Sequence, residues 1–171
     1  NRMVSHHKRM DSSIPVGATI FIGDSITQGL ATSAVSDVSV NYGIGADTTV
    51  GVIARIPFYE SLATASAVVI AIGINDLGRR DNDSIIRNYE KILRLIPQDR
   101  PVVMSAVLPI DQRVGPPSLS NERIQHLNSS LRELAGRHSN NVTFIDASDV
   151  LLGPDGNLSG DYHIGDGVHL S

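Results

Sequence analysis

Five short apolar segments punctuate the chain, at residues 18–22, 38–42, 67–72, 101–108 and 142–145. The first and third, Ala-Thr-Ile-Phe-Ile and Ala-Val-Val-Ile-Ala-Ile, do not alternate apolar with polar positions. Such runs, rich in Val and Ile, suit strands buried on both faces, as in a parallel sheet covered by helices. Between them the period changes. Ile85, Tyr89, Ile92 and Ile96 recur at helical spacing and share one face, with Asn82 or Asp83 placed to cap that helix. Ile124, Leu127, Leu131 and Leu134 repeat the pattern, with Ser120 as N-cap and Glu122 in the first turn. Asp47-Thr48-Thr49, ahead of Val-Gly-Val-Ile-Ala-Arg-Ile, reads as a further helix start.

Strand and helix thus alternate, which predicts an α/β fold: a three-layer α/β/α sandwich around a five-stranded parallel sheet with right-handed crossovers, flavodoxin-like in architecture. The longest expected loop, residues 109–120, follows the fourth strand at the carboxyl edge of the sheet, where ligands bind in this architecture. At 171 residues the chain fits one domain, expected over residues 16–171. Residues 1–15, with Arg2, Lys8 and Arg9 and no acid before Asp11, read as a solvated N-terminal tail or linker. The adjacent His6 and His7 are a weak metal-ligand signal.

Composition narrows the chemistry. With 41% hydrophobic and 19% charged residues the chain is globular. A net charge of -4 argues against a nucleic-acid partner. The lack of cysteine removes disulfides, thiolate metal sites and cysteine nucleophiles together. No apolar run reaches the ~18 residues of a membrane span.

Ser25, in Gly23-Asp24-Ser25-Ile26-Thr27, stands where the first strand gives way to polar sequence. A serine there is a turn residue, a cap or a nucleophile, and a nucleophile needs a base oriented by a carboxylate. Asp166-Gly167-Val168-His169 supplies that pair, since a tight turn joins an acid to a histidine three residues on. His126 and His138 fall on or near a helix. His163 competes, with Asp161 two residues before it and Asp166 three after. Oxyanion donors are expected from two further strand ends, residues 41–47 and 73–76.

The four blocks, Gly-Asp-Ser-Ile-Thr, Asn-Tyr-Gly-Ile-Gly-Ala-Asp, Gly-Ile-Asn-Asp and Asp-Gly-Val-His, occur in order. Together they resemble the SGNH hydrolases, the GDSL esterase and lipase family, over nearly the whole chain from about Gly23 to His169. The second block is also similar to platelet-activating-factor acetylhydrolase-like members. The resemblance implies a serine esterase with a Ser25–His169–Asp166 triad. It implies an oxyanion hole from the N–H groups of Ser25 and Ala46 and the Asn75 amide. Its substrate would be a small acyl ester, acetyl or short-chain, with acetylated carbohydrate among the candidates, and no metal or organic cofactor is needed. Arg79 and Arg80, just beyond the third block, either attract an acidic substrate or are solvated surface charges.

Two departures stand out. Ala46 occupies the position of the family's oxyanion glycine, and the expectation is that it keeps a negative φ and still donates. Family members continue into a helix after the closing histidine. Here only Leu170 and Ser171 follow, so that helix is expected to be truncated, disordered or absent and His169 to lie on a terminus prone to fraying. Other signatures fail: Thr27 breaks the Gly-x-Ser-x-Gly elbow, Thr48 breaks a dinucleotide fingerprint, and no phosphate loop exists. The alternative reading is a catalytically silent carbohydrate- or ligand-binding domain of the same fold.

Overall fold

The computed structural model describes residues 2–171. Its centre is a sheet of β1 (Thr19–Gly23), β2 (Ser39–Gly43), β3 (Ala67–Ala71), β4 (Val102–Ser105) and β5 (Val142–Ile145), in the order β2-β1-β3-β4-β5. Every pairing is parallel, with Ile20 opposite Val40 on one side and Val68 on the other. Ile20, Ile22, Val68, Ile70 and Met104 are fully buried. The expanse of apolar side chains around them replaces alternation as the sign of a strand.

Helices α3 (Thr49–Arg55), α4 (Asn82–Leu95) and α5 (Asn121–Arg137) fill the crossovers from β2 to β3, β3 to β4 and β4 to β5. Their apolar stripes, including Val52, Ile85, Tyr89, Ile92, Leu127 and Leu131, pack with the sheet into one core. The crossover from β1 to β2 runs the opposite way across the sheet, so the same right-handed rule carries it to the other face. It holds only α2 (Ser25–Gly29) and a 3-10 turn at Thr32–Ala34. The third layer is therefore thin, and Phe21, Val69 and Val103 meet Ile26 and Leu30 around a cavity of about 930 Å³.

Caps follow the local chemistry. Ser120 accepts from the Arg123 N–H and Thr48 from the Gly51 N–H. For α4 the cap is Asp81, which accepts from the Ser84 N–H at 2.7 Å, and not Asn82 or Asp83. An N-cap needs extended backbone (ψ is 162° at Asp81), and Asn82 and Asp83 already belong to the helix. Strand β4 stops short of residue 108 because the Asn128 side chain bonds both the N–H and the C=O of Val107, at 2.9 and 2.8 Å, where a ladder would have.

The expected solvated tail is instead a helix, α1 (Arg2–Asp11), docked on the domain. His7 and Asp11, one helical turn apart, are buried. Asp11 accepts from the Tyr42 hydroxyl at 2.8 Å and from the Ser61 N–H and hydroxyl at 3.1 and 2.5 Å. His7 lies over the Tyr42 ring and its Nδ1 is 3.2 Å from the Tyr59 hydroxyl. Burial, with help from Arg55 and His6, lowers its pKa to about 4. Among the described residues no group of three or more acids and histidines could hold a metal ion, and no helix is long and apolar enough to cross a membrane.

Candidate active site

Gly23 closes β1, and a side chain there would collide with the Ala71 carbonyl oxygen at 2.2 Å and the Thr27 hydroxyl at 2.0 Å. Only glycine lets β3 and α2 approach so closely. Asp24 then caps α2 by accepting the Ile26 N–H at 3.0 Å, which leaves Ser25 as the first helical residue. The Ser25 N–H has no hydrogen-bond acceptor among the described residues. Asp24 itself is 2% exposed, and this burial, helped by the charge of Asp47, raises its pKa to about 6.

The opposite end of the chain returns to Ser25. His169 Nε2 lies 2.8 Å from Ser25 Oγ, across 144 residues of sequence. His169 Nδ1 lies 2.6 Å from Asp166 Oδ2, and Asp166 Oδ1 accepts the N–H groups of Val168 and His169 at 3.0 and 2.9 Å. Partial burial pushes the Asp166 pKa up, but these hydrogen bonds together outweigh it and hold the carboxyl down to about 2. An ionised Asp166 fixes the proton on Nδ1, so the Nε2 lone pair faces the serine hydroxyl.

His169 does not sit on a frayed end. Residues 162–171 form a small hairpin: His163 bridges Leu170, Ile164 N–H donates to His169 C=O at 3.0 Å, and Ser171 N–H to Tyr162 C=O at 3.1 Å. A further bond, Asp111 N–H to Gly167 C=O at 2.9 Å, ties the hairpin to the loop after β4. Gly167 has φ 73°, and a side chain there would lie 2.6 Å from the Asp111 carbonyl oxygen.

The Ala46 expectation is corrected. Its φ is +59°, the left-handed region. The turn is closed by Asp47 N–H to Ile44 C=O at 3.1 Å, while Gly45 N–H is held by Gln28 Oε1 at 2.7 Å. Bonds on both sides of Ala46 thus fix its conformation, at a cost of about 1–2 kcal/mol for a residue with a Cβ. The Ala46 N–H has no hydrogen-bond acceptor among the described residues. Asn75 Nδ2 donates to the Asp47 carbonyl at 3.0 Å, and one of its two amide hydrogens remains for another acceptor.

Arg55, a residue that no sequence motif marks, joins these pieces. It is 1% exposed and donates to Asp47 Oδ2 (2.8 Å), the Tyr42 carbonyl (2.7 Å) and the Gly23 carbonyl (3.1 Å). One guanidinium therefore braces the serine strand against the Ala46 turn. Its only sequence signal was a cation on the last turn of an otherwise apolar helix. Asp76 does similar work, taking the Thr49 N–H and hydroxyl at 2.9 and 2.6 Å. Arg80 is engaged with Asp76 at 2.8 Å. Arg79, Arg80 and Arg123 border a shallow surface depression that shares no residue with the cavity beside Ser25. Of the other histidines, His126 and His138 are exposed on α5 and at its end, and His163 bonds elsewhere in its own hairpin.

The family model of GDSL-like lipases and acylhydrolases matches residues 21–171. A Streptococcus pneumonia protein named for platelet activating factor superposes with a TM-score of 0.90 at 25% identity, covering 99% of this chain and 84% of that one. A GDSL-like lipase from Bacteroides thetaiotaomicron gives 0.82 at 20% identity, with 98% and 89% covered. Axe2, an acetyl-xylooligosaccharide esterase from Geobacillus Stearmophilus in a mutant form, gives 0.67 at 20% identity, with 91% and 89% covered. No curated protein matches the chain. The sheet order, the serine block at the end of β1 and a match over residues 21–171 agree, and the chain belongs to the GDSL-like lipase/acylhydrolase family of ester hydrolases.

Proposed function

We propose that the protein is a serine esterase for small acyl esters, acetyl or short-chain, working through Ser25, His169 and Asp166. The reading rests on one observation: Asp166, His169 and Ser25 form a continuous hydrogen-bonded line, with steps of 2.6 and 2.8 Å. His169 Nε2 takes the hydroxyl proton as Ser25 Oγ bonds to the ester carbonyl carbon. The N–H groups of Ser25 and Ala46 and the free amide hydrogen of Asn75 receive the oxyanion. The bond to the alcohol oxygen then breaks, and His169 returns its proton to that oxygen. Water repeats the sequence: its oxygen bonds to the acyl carbon, the bond to Oγ breaks, and Ser25 recovers its proton. Asp166 stabilises the transient imidazolium throughout.

The apolar cavity beside Ser25 and His169 offers the acyl methyl or short chain a dry wall. The acetyl-xylooligosaccharide esterase among the structural neighbours supports an acetylated saccharide as the natural ester. Turnover of p-nitrophenyl acetate, then of longer acyl chains and acetylated xylooligosaccharides, tests the reading. Ser25→Ala is expected to lower kcat by about 10⁴-fold or more. Equal turnover by wild type and Ser25→Ala rejects hydrolysis at this site, and rates that climb with chain length reject the short-chain assignment.

A further inference from the structure

His163 is nearly buried, its side chain 7% exposed, yet it touches neither Ser25 nor the acid–base pair. Its Nδ1 accepts two backbone N–H groups, from Gly165 at 3.0 Å and Gly167 at 3.2 Å. These amides flank Asp166. Both glycines have positive φ, 102° and 73°, a region glycine enters without strain and leaves as freely, so hydrogen bonds are what fix the turn. A nitrogen that accepts two N–H groups carries no proton, so the ring hydrogen is on Nε2. Nε2 is buried without a hydrogen-bond partner and faces Asp111 Oδ2 at 3.4 Å. Asp111 is held by Arg113, at 2.8 and 2.7 Å, and Arg113 also pairs with Asp155.

We infer that His163 is a positioning residue for the Asp166–His169 pair: its unprotonated Nδ1 holds the amides on either side of Asp166 and so fixes where the base stands. The inference rests on the triad reading above. It assigns a role to the histidine that the sequence left as a competing base. His163 forms the first bridge of the hairpin, opposite Leu170, the residue after His169. Its lone pair reaches around the inside of the turn and replaces the amide acceptors that a tight glycine turn lacks. Without it, the Gly167 N–H, in a buried residue, loses its acceptor and the exposed Gly165 N–H is left to water, so the turn carrying Asp166 keeps its Asp111–Gly167 tie but is less firmly placed.

The test compares wild type, Ser25→Ala, His163→Ala and His163→Asn on p-nitrophenyl acetate, with amide hydrogen exchange at Gly165 and Gly167 read in parallel. Asparagine places a carbonyl oxygen near the Nδ1 position and does not titrate. His163→Ala is expected to lose about 10- to 100-fold in kcat with KM within about twofold, because misplacing a base affects the transition state and not substrate binding. Exchange at Gly165 and Gly167 is expected to speed up. His163→Asn is expected to restore both readouts most of the way. Wild-type kcat in His163→Ala overturns the inference, and so does a folded His163→Asn that is as slow as His163→Ala. If His163→Ala does not fold, His163→Asn decides alone: near-wild-type kcat supports the role and a large loss overturns it. Wild type no faster than Ser25→Ala overturns the triad reading itself, and this inference with it.

Discussion

The Asn75 side-chain amide donates to the backbone carbonyl of Asp47 at 3.0 Å, joining the end of β3 to the turn after β2. One bond thus sets the distance between two expected oxyanion donors, Asn75 itself and the N–H of Ala46. Removing the amide deletes a donor and unties the other. Asn75→Ala is expected to lose about 10²–10³-fold in kcat while remaining folded. Steady-state kinetics beside a circular dichroism melt checks this, and full turnover would falsify the role.

Ala46 stores strain at φ +59°. Ala46→Gly removes the Cβ penalty but adds unfolded-state freedom, so its net gain in stability is expected to be at most about 1 kcal/mol with activity retained. Ala46→Val puts a β-branched residue where such residues are outliers. It is expected to destabilise the fold and reduce kcat more than it raises KM. Urea unfolding and kinetics on the pair separate the outcomes; equal behaviour of the two variants removes the strain argument.

Asp24 gives a signed pH prediction. Its pKa is raised from 3.8 to about 6 on folding, chiefly by burial. Between these values the folded chain holds a proton that the unfolded chain has released, so this group's contribution falls as pH rises through the window and stays lost above it. Asp24→Asn keeps an oxygen for the Ile26 N–H and carries no charge. Its stability relative to wild type should rise between about pH 4 and about pH 7, by on the order of 2–3 kcal/mol. Urea midpoints at the two pH values measure it, and a difference independent of pH counts against a buried, ionising Asp24.

His7 works in the other direction. Its pKa falls from 6.5 to about 4 in the folded chain. In that window the unfolded chain binds the extra proton, so stability is lost as pH drops from 6.5 toward 4. His7→Gln does not titrate, and its melting temperature should fall less than that of wild type between about pH 7 and about pH 5. Parallel slopes for the two proteins would show that α1 docks without burying a neutral imidazole.

The strands were legible because their burial is written locally. The run at residues 67–72 has no polar alternation, and β3 occupies residues 67–71 of it with both neighbours parallel. The stripes of α4 and α5 and the Ser120 cap were legible for the same reason, since a helix face and its first turn span only a few residues. The order of the four blocks pointed to Ser25, Asn75, Asp166 and His169 as candidates, because each block sits at a strand end or a glycine turn with its own local signature.

Other features depend on partners far away in sequence. His7 and Asp11 count as polar in any local reading, yet Tyr42, Tyr59 and Ser61 bury these two side chains and dock the helix that carries them. Ala46 gives no sign of its φ; bonds from Gly45 to Gln28 and from Asp47 to Ile44 decide it. Arg55 looks like a helix-end cation until Gly23, Tyr42 and Asp47 surround it. His163 and His169 were rivals in the sequence, and a single hairpin turns one ring into the turn and the other toward Ser25. Periodicity records how much of a residue is buried, which is a property of short segments. Which atom satisfies a buried donor or charge is settled only when distant segments meet, and that belongs to the tertiary structure.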